Sequence, residues 1–145
     1  MMRTWEQCQR LAIEEKLLAR YTPDFRFYNK TGDAYIDGWV MTSGGANWYR
    51  LWVGVPPEYP YSPPHLYVGH PHPLWMCGYQ RTINSLGTSH AFHVLDNPNG
   101  WVKICHTEYW DASLTCLKIL LKGVMWLEAY EAHLRTGQNI ADFLC

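Results

Sequence analysis

The chain reads as an α+β domain: an N-terminal helix, a four-stranded antiparallel meander, a long loop, and a long helix in the C-terminal half. Three observations predict this. A capped helical segment opens the chain, short segments rich in β-branched and aromatic residues follow, and apolar residues at helical spacing dominate its last third.

Residues 4–21 are expected to form the first helix. Thr4 supplies the cap, and Gln7 three residues on completes a capping box that satisfies orphan backbone donors. Leu11, Ile13, Leu17, Leu18 and Tyr21 lie broadly on one side, and Pro23 ends the helix. Phe25 to Tyr28 is a short aromatic strand. Ala34 to Met41 and Trp48 to Val55 flank the turn sequence Ser43-Gly44-Gly45. Leu51, Val53 and Val55 alternate with Arg50, Trp52 and Gly54, so one face of that strand packs inward.

Seven of the nine prolines fall between Pro56 and Pro73, which rules out a continuous helix or central strand there. Within this stretch His65 to Val68 is expected as a fourth strand at the sheet edge, and one X-Pro bond is a candidate for cis. Residues 75–109 show no periodicity, and irregular segments of that length in small domains usually carry function. Asp111 is the expected cap of the last helix, whose apolar stripe is Leu114, Leu117, Leu121, Val124, Leu127 and Leu134. Gly137 stops it, leaving a short tail over residues 139–145.

A length of 145 residues fits one domain spanning 1–145 with a full apolar core. Hydrophobic residues at 48% and charged ones at 17% are globular values, and a net charge of −1 argues against a general nucleic-acid binder, though not against a local basic patch. Aromatics reach 15%, enough for an aromatic core with rings left over for an interface. No signal-type run opens the chain, and Leu114 to Leu127 is too short and too broken by Lys118 and Lys122 to cross a bilayer. A soluble protein of the cytoplasm, without membrane or nucleic-acid partners, is expected.

Cys8, Cys77, Cys105, Cys116 and Cys145 are odd in number and lack paired spacing, so they read as free thiols in a reducing compartment. Cys8 and Cys116 lie in helices and are expected to be buried apolar residues, while Cys77 and Cys145 read as incidental thiols. His65, His70, His72 and Cys77 are zinc-type ligands, yet their spacing fits no four-ligand pattern, so neither metal nor cofactor is expected.

Three local matches resemble one family in order. Tyr59-Pro60-Tyr61-Ser62-Pro63-Pro64 resembles the aromatic-Pro-aromatic-x-Pro-Pro stretch of ubiquitin-conjugating enzymes. Ile104-Cys105, with Trp110 downstream, resembles their active-site Ile-Cys and following Trp. Trp110-Asp111-Ala112-Ser113-Leu114-Thr115, running into Leu117, Ile119, Leu120 and Leu121, resembles the helix after that Trp. The family's His-Pro-Asn triplet is not intact. Asn97-Pro98-Asn99 resembles it but puts Asn99 six residues before Cys105, where the family spaces its Asn about eight residues away; ungapped counting selects Asn97. The short Cys105–Trp110 interval, the single long helix, and the segments Trp126-Leu127-Glu128-Ala129-Tyr130 and Thr136-Gly137 resemble the prokaryotic branch. That branch accompanies ubiquitin-like proteins and activating enzymes in bacterial antiviral defence operons.

The resemblance implies a ubiquitin-conjugating-like fold and two acyl transfers. Cys105 takes a ubiquitin-like modifier from an activating enzyme as a thioester, then passes it to an amine on a protein target. The thiolate is the nucleophile, and a free thiol pKa of about 8.5 already supplies some at neutral pH. Lys103 and His106, near it in sequence, are candidates to favour it further, although adjacent side chains on a strand point apart. Asn97 or Asn99 is the candidate oxyanion donor, and either also suits a plain Asn-Pro-Asn-Gly turn. Asp96, Glu108 and Asp111 are candidate carboxylates for the incoming amine, and Trp110 a packing anchor. His90 and His93 read as loop histidines or proton carriers. Two rival functions stand beside this one: a non-catalytic binding or scaffold member of the same fold, and a Cys/His hydrolase pairing Cys105 with His90, His93 or His106.

Overall fold

A computed structural model describes residues 2–45 and 47–144. Helix α1 runs from Trp5 to Tyr21, and its cap is the expected one: Gln7 N donates to Thr4 Oγ1 at 3.2 Å while Thr4 N donates to Gln7 Oε1 at 2.8 Å. Its inward stripe differs from the expected one. Gln7, Leu11, Glu14 and Leu18 are buried, whereas Ile13 and Tyr21 are exposed. Periodicity over this helix is blurred because a carboxylate, Glu14, occupies a core position that apolar counting passes over.

The sheet has six strands, not four: β1 Arg26–Tyr28, β2 Tyr35–Met41, β3 Trp48–Gly54, β4 His65–His70, β5 Val94–Leu95 and β6 Val102–Ile104. All neighbours are antiparallel in the order β1-β2-β3-β4-β6-β5. β4 is therefore interior rather than an edge. Prolines 63, 64, 71 and 73 crowd around it but none lies within it, so its backbone donors remain free to pair on both sides. The segment expected to be irregular contributes β5, β6 and a 3-10 turn at Ile83–Leu86. Strands of two and three residues are too short to carry a periodic signal. Three X-Pro bonds are cis, those to Pro60, Pro71 and Pro73.

Helix α2 spans Cys116–Thr136 and packs on α1, β3 and β4. Its cap is Thr115, which accepts from Lys118 N at 3.2 Å. Asp111 does not cap the helix: its carboxylate accepts from Ser113 N at 2.8 Å in a turn one step earlier, a competing use of Asp. The end is as expected, with Gly137 left-handed at φ 77° and donating to His133 O.

The buried face of α2 is Ile119, Leu120, Gly123, Trp126, Leu127 and Tyr130. Of the expected stripe only Leu127 is fully buried, and Leu121 is 49% exposed. The helix is apolar on more than one side, and the sheet takes the side that holds Gly123. A Cβ there would come within 3.1 Å of Leu51 and 3.3 Å of Leu66, so glycine permits the helix to lie close to the sheet.

The core lies between this helix face and Ile36, Tyr49, Leu51, Val53, Leu66, Val68, Val102 and Ile104, which alternate inward along the strands. Each such aliphatic side chain contributes about 1.5–3 kcal/mol by burial. The opposite sheet face is aromatic: Tyr28 stacks on Tyr35, Tyr35 on Trp52, and Trp52 meets Tyr67 and Trp101. Among the described residues no helix is long and apolar enough to cross a membrane.

Candidate active site

β6 sits between β4 and β5, with Ile104 paired to Leu66 on one side and Val94 on the other. One residue later the chain leaves the sheet. Cys105 N donates to His93 O at 2.8 Å, which holds its backbone, while the side chain stays half-exposed and its sulfur meets only Thr107 O at 3.9 Å. Three cavities of ≈ 270, ≈ 380 and ≈ 200 Å³ adjoin here, and Cys105 and His106 line all three.

The segment after Cys105 is strapped to the proline-rich stretch. His106 Nε2 donates to Pro64 O at 2.7 Å and Trp110 Nε1 donates to Pro60 O at 2.7 Å. From α2, Lys122 Nζ donates to His106 O at 2.9 Å. Proline has no N–H but keeps its carbonyl, so a proline-rich strap offers fixed acceptors with few donors of its own. Other carbonyls of the stretch are taken the same way, Pro57 by Gln7 and Val55 and Pro56 by Arg3.

Burial lowers the His106 pKa, Lys122, His65 and Lys103 add to the lowering, and the Pro64 bond opposes it. Nε2–H is committed to Pro64 O, and Nδ1 is buried with no hydrogen-bond partner among the described residues.

Cys105, His106, Glu108, Lys103, His90, His93 and Trp110 thus converge, each lining at least one of the three cavities. Asn97 and Asn99 do not. Asn97 Nδ2 donates to Trp101 O at 2.8 Å and its carbonyl accepts from Gly100 N, while Asn99 is left-handed at φ 62°. Both belong to the turn at the far end of the β5–β6 hairpin. At about 3.3 Å per residue, Asn97 lies roughly 13 Å along the strand from Cys105. Asp96 is exposed and its N donates to Thr88, and Asp111 is engaged by Ser113; burial plays little part there, and the Ser113 bonds lower the Asp111 pKa.

Lys122, Met125, Trp126 and Leu144 complete the wall of the ≈ 270 Å³ cavity beside the thiol. Of these, Lys122 is visible in the sequence as one of the two lysines, with Lys118, that break the apolar run from Leu114 to Leu127. The other cysteines separate clearly. Cys116 is fully buried, and burial beside Glu14 pushes its thiol up to about 12. Cys8, expected to be buried, is exposed on the outer side of α1, as is Cys77 in its loop; Cys145 lies outside the described residues.

No His ring among the described residues bonds to Cys105 Sγ, and none is paired with a carboxylate. Nor does any group of three or more His, Cys, Asp or Glu side chains among them converge as metal ligands. His65 and His70 stand at opposite ends of β4, and Cys77 N donates to His133 Nε2. No protein-family model matches the chain, and no curated protein matches it.

Proposed function

We propose that this chain is a ubiquitin-conjugating-like acyl carrier that accepts a ubiquitin-like modifier on Cys105 and hands it to a target amine. The observation that carries this reading is the half-exposed Cys105 thiol at the meeting point of three cavities, on a backbone fixed by His93 O. The order helix, antiparallel sheet, proline-rich stretch, Cys105, Trp110, helix agrees with the same family. In the first step the Cys105 thiolate attacks the thioester carbonyl carbon, a new C–S bond forms, and the activating enzyme's thiol departs. In the second an amine attacks the Cys105 thioester and the thiol is regenerated. The bacterial antiviral setting belongs to the same proposal through the prokaryotic resemblance.

The test mixes the chain with an activating enzyme, its ubiquitin-like modifier and ATP, and resolves the products with and without reductant. A reductant-sensitive adduct that Cys105→Ala abolishes, and Cys105→Ser converts to a slower, reductant-resistant ester, is the expected result. No adduct from a demonstrably active partner set sinks it.

One observation favours a second reading, a non-catalytic binding member of the fold: neither Asn97 nor Asn99 reaches the thiol. That reading predicts modifier binding without an adduct. The hydrolase alternative has less behind it, because the site brings no imidazole–carboxylate pair to Cys105.

A further inference from the structure

The two larger cavities beside Cys105 differ in charge. The one between β6 and α2 is walled by Ile104, Met125, Trp126 and Leu144, with Lys122 as the only Lys, Arg, Asp or Glu among the described residues that line it. The one on the hairpin side is walled by Thr88, Ser89, His90, His93, Thr107 and Glu108, and holds a carboxylate with no Lys or Arg. An amine acceptor arrives mostly as an ammonium, so it is drawn to the Glu108 side and repelled from the Lys122 side. The acyl donor is left with the apolar, cationic side.

Three details shape that side. Trp126 Nε1 donates to Phe92 O at 2.9 Å and Ala141 N to Ala91 O at 2.8 Å, so the walls are tied together. Lys122 spends one N–H on His106 O, leaving two donors for an anion. The volume, ≈ 270 Å³, falls below the roughly 300–1,000 Å³ of small-molecule sites and suits one or two side chains.

Resting on the acyl-carrier reading, we propose that this cavity seats the C-terminal tail of the modifier and selects an apolar residue flanked by an acidic one, rejecting basic tails. The partner is thus a ubiquitin-like protein whose last residues before the reacting glycine are apolar and anionic. Acylation exchanges one thioester for another: Cys105 sulfur bonds to the glycyl carbonyl, the donor thiol leaves, and the Cys105 proton passes to it through solvent.

The test uses the whole chain and two synthetic peptides ending in a glycyl mercaptoethanesulfonate thioester, one bearing Leu-Glu and the other Leu-Arg before the terminal glycines. Cys105 acylation is followed by intact mass spectrometry. The acidic peptide is expected to react about tenfold faster at low salt, and the ratio to collapse at about 1 M salt, where the Debye length is about 3 Å. Lys122→Glu should reverse the order. Met125→Glu, at the exposed rim and outside the Lys122 hydrogen bond, should weaken the acidic preference and keeps the test valid if Lys122→Glu misfolds. Equal rates in the unmodified protein, or faster reaction of the basic peptide, overturn the selectivity. Acylation by neither peptide, with Cys105 still open to alkylation, overturns the acyl-carrier reading itself.

Discussion

The proline-rich stretch touches two polar clusters that are built on opposite principles. At its start, Tyr59 enters a closed junction with α1 and α2. Glu14, fully buried, accepts from Tyr59 Oη at 2.5 Å, Arg10 Nε at 2.8 Å and Cys116 N at 2.9 Å, while Arg10 also donates to Leu114 O. Burial first, and the Cys116 and Glu14 neighbours next, push the Tyr59 hydroxyl far above its ordinary pKa, so it stays a donor. From the next residue on, Pro60 O and Pro64 O accept from the Trp110 and His106 side chains and so hold the Cys105 segment, where the thiol is half-exposed and His106 Nδ1 has no partner among the described residues. One cluster has every acceptor filled and carries stability. The other leaves a half-exposed thiol and a buried imidazole nitrogen without such partners.

Removing Glu14 should give the largest effect on stability. Glu14→Ala strands the Tyr59 hydroxyl, the Cys116 amide and the Arg10 guanidinium at once, a loss of about 3–5 kcal/mol by analogy with broken buried pairs. Urea titration checks it, with Glu14→Gln expected to lose less because one acceptor remains. A Glu14→Ala loss below that of His106→Ala would reverse the contrast between the clusters.

His106 should come next. Losing its bond to Pro64 O in His106→Ala is expected to cost about 1–2 kcal/mol. The pH dependence is more diagnostic. A histidine whose folded pKa is lowered binds its proton more readily in the unfolded chain, so its contribution is present above about pH 6.5 and is lost as pH falls below that value. Stability should therefore decline from about pH 7 to pH 5, and His106→Gln should reduce the decline. His65, lowered by burial and by Lys103, accounts for a remaining share. An unchanged slope in His106→Gln would show that this imidazole is not the source of the pH dependence.

Much of the fold was legible from local chemistry. The Thr4–Gln7 capping box, the alternation of Leu51, Val53 and Val55, and the Gly137 stop are short-range signals and appear where the sequence places them. What escaped depends on distant partners. β6 is three residues long, and nothing local marks Val102–Ile104 as interior until β4 and β5 flank it. Which side of α2 faces inward is likewise chosen by the sheet. At the site, Cys105 was visible as a motif residue and His106 as its sequence neighbour, whereas Lys122 and Leu144 line the same cavity only through packing of α2 and the tail. The Asn97-Pro98-Asn99 sequence carried two meanings at once, and the hairpin register places both Asn residues in a turn.

Asn97 tests that decision with a smaller effect. Its side-chain amide donates to Trp101 O, so Asn97→Ala should cost about 1 kcal/mol of stability. If Asn97 is a turn residue, acylation of Cys105 by a peptide thioester should stay within about twofold of the parent rate, whereas an oxyanion donor would lose about a hundredfold or more. A loss on that scale with the fold intact would return Asn97 to the site.

Asn99 should show the smallest change of all, and its sign is informative. At φ 62° it occupies the left-handed region, which glycine enters without a steric cost and Asn tolerates better than most residues. Asn99→Gly relieves that cost but loosens the unfolded chain, and the two terms nearly cancel, leaving a shift within about 0.5 kcal/mol. Asn99→Ala carries the strain without the tolerance and should fall about 1 kcal/mol below Asn99→Gly. The order Gly, Asn, then Ala, or Asn slightly above Gly, identifies a turn position ruled by backbone geometry. Equal stability of Asn99→Ala and the parent chain would mean that the hairpin tip has relaxed, freeing the Asn99 side chain from the turn role assigned to it.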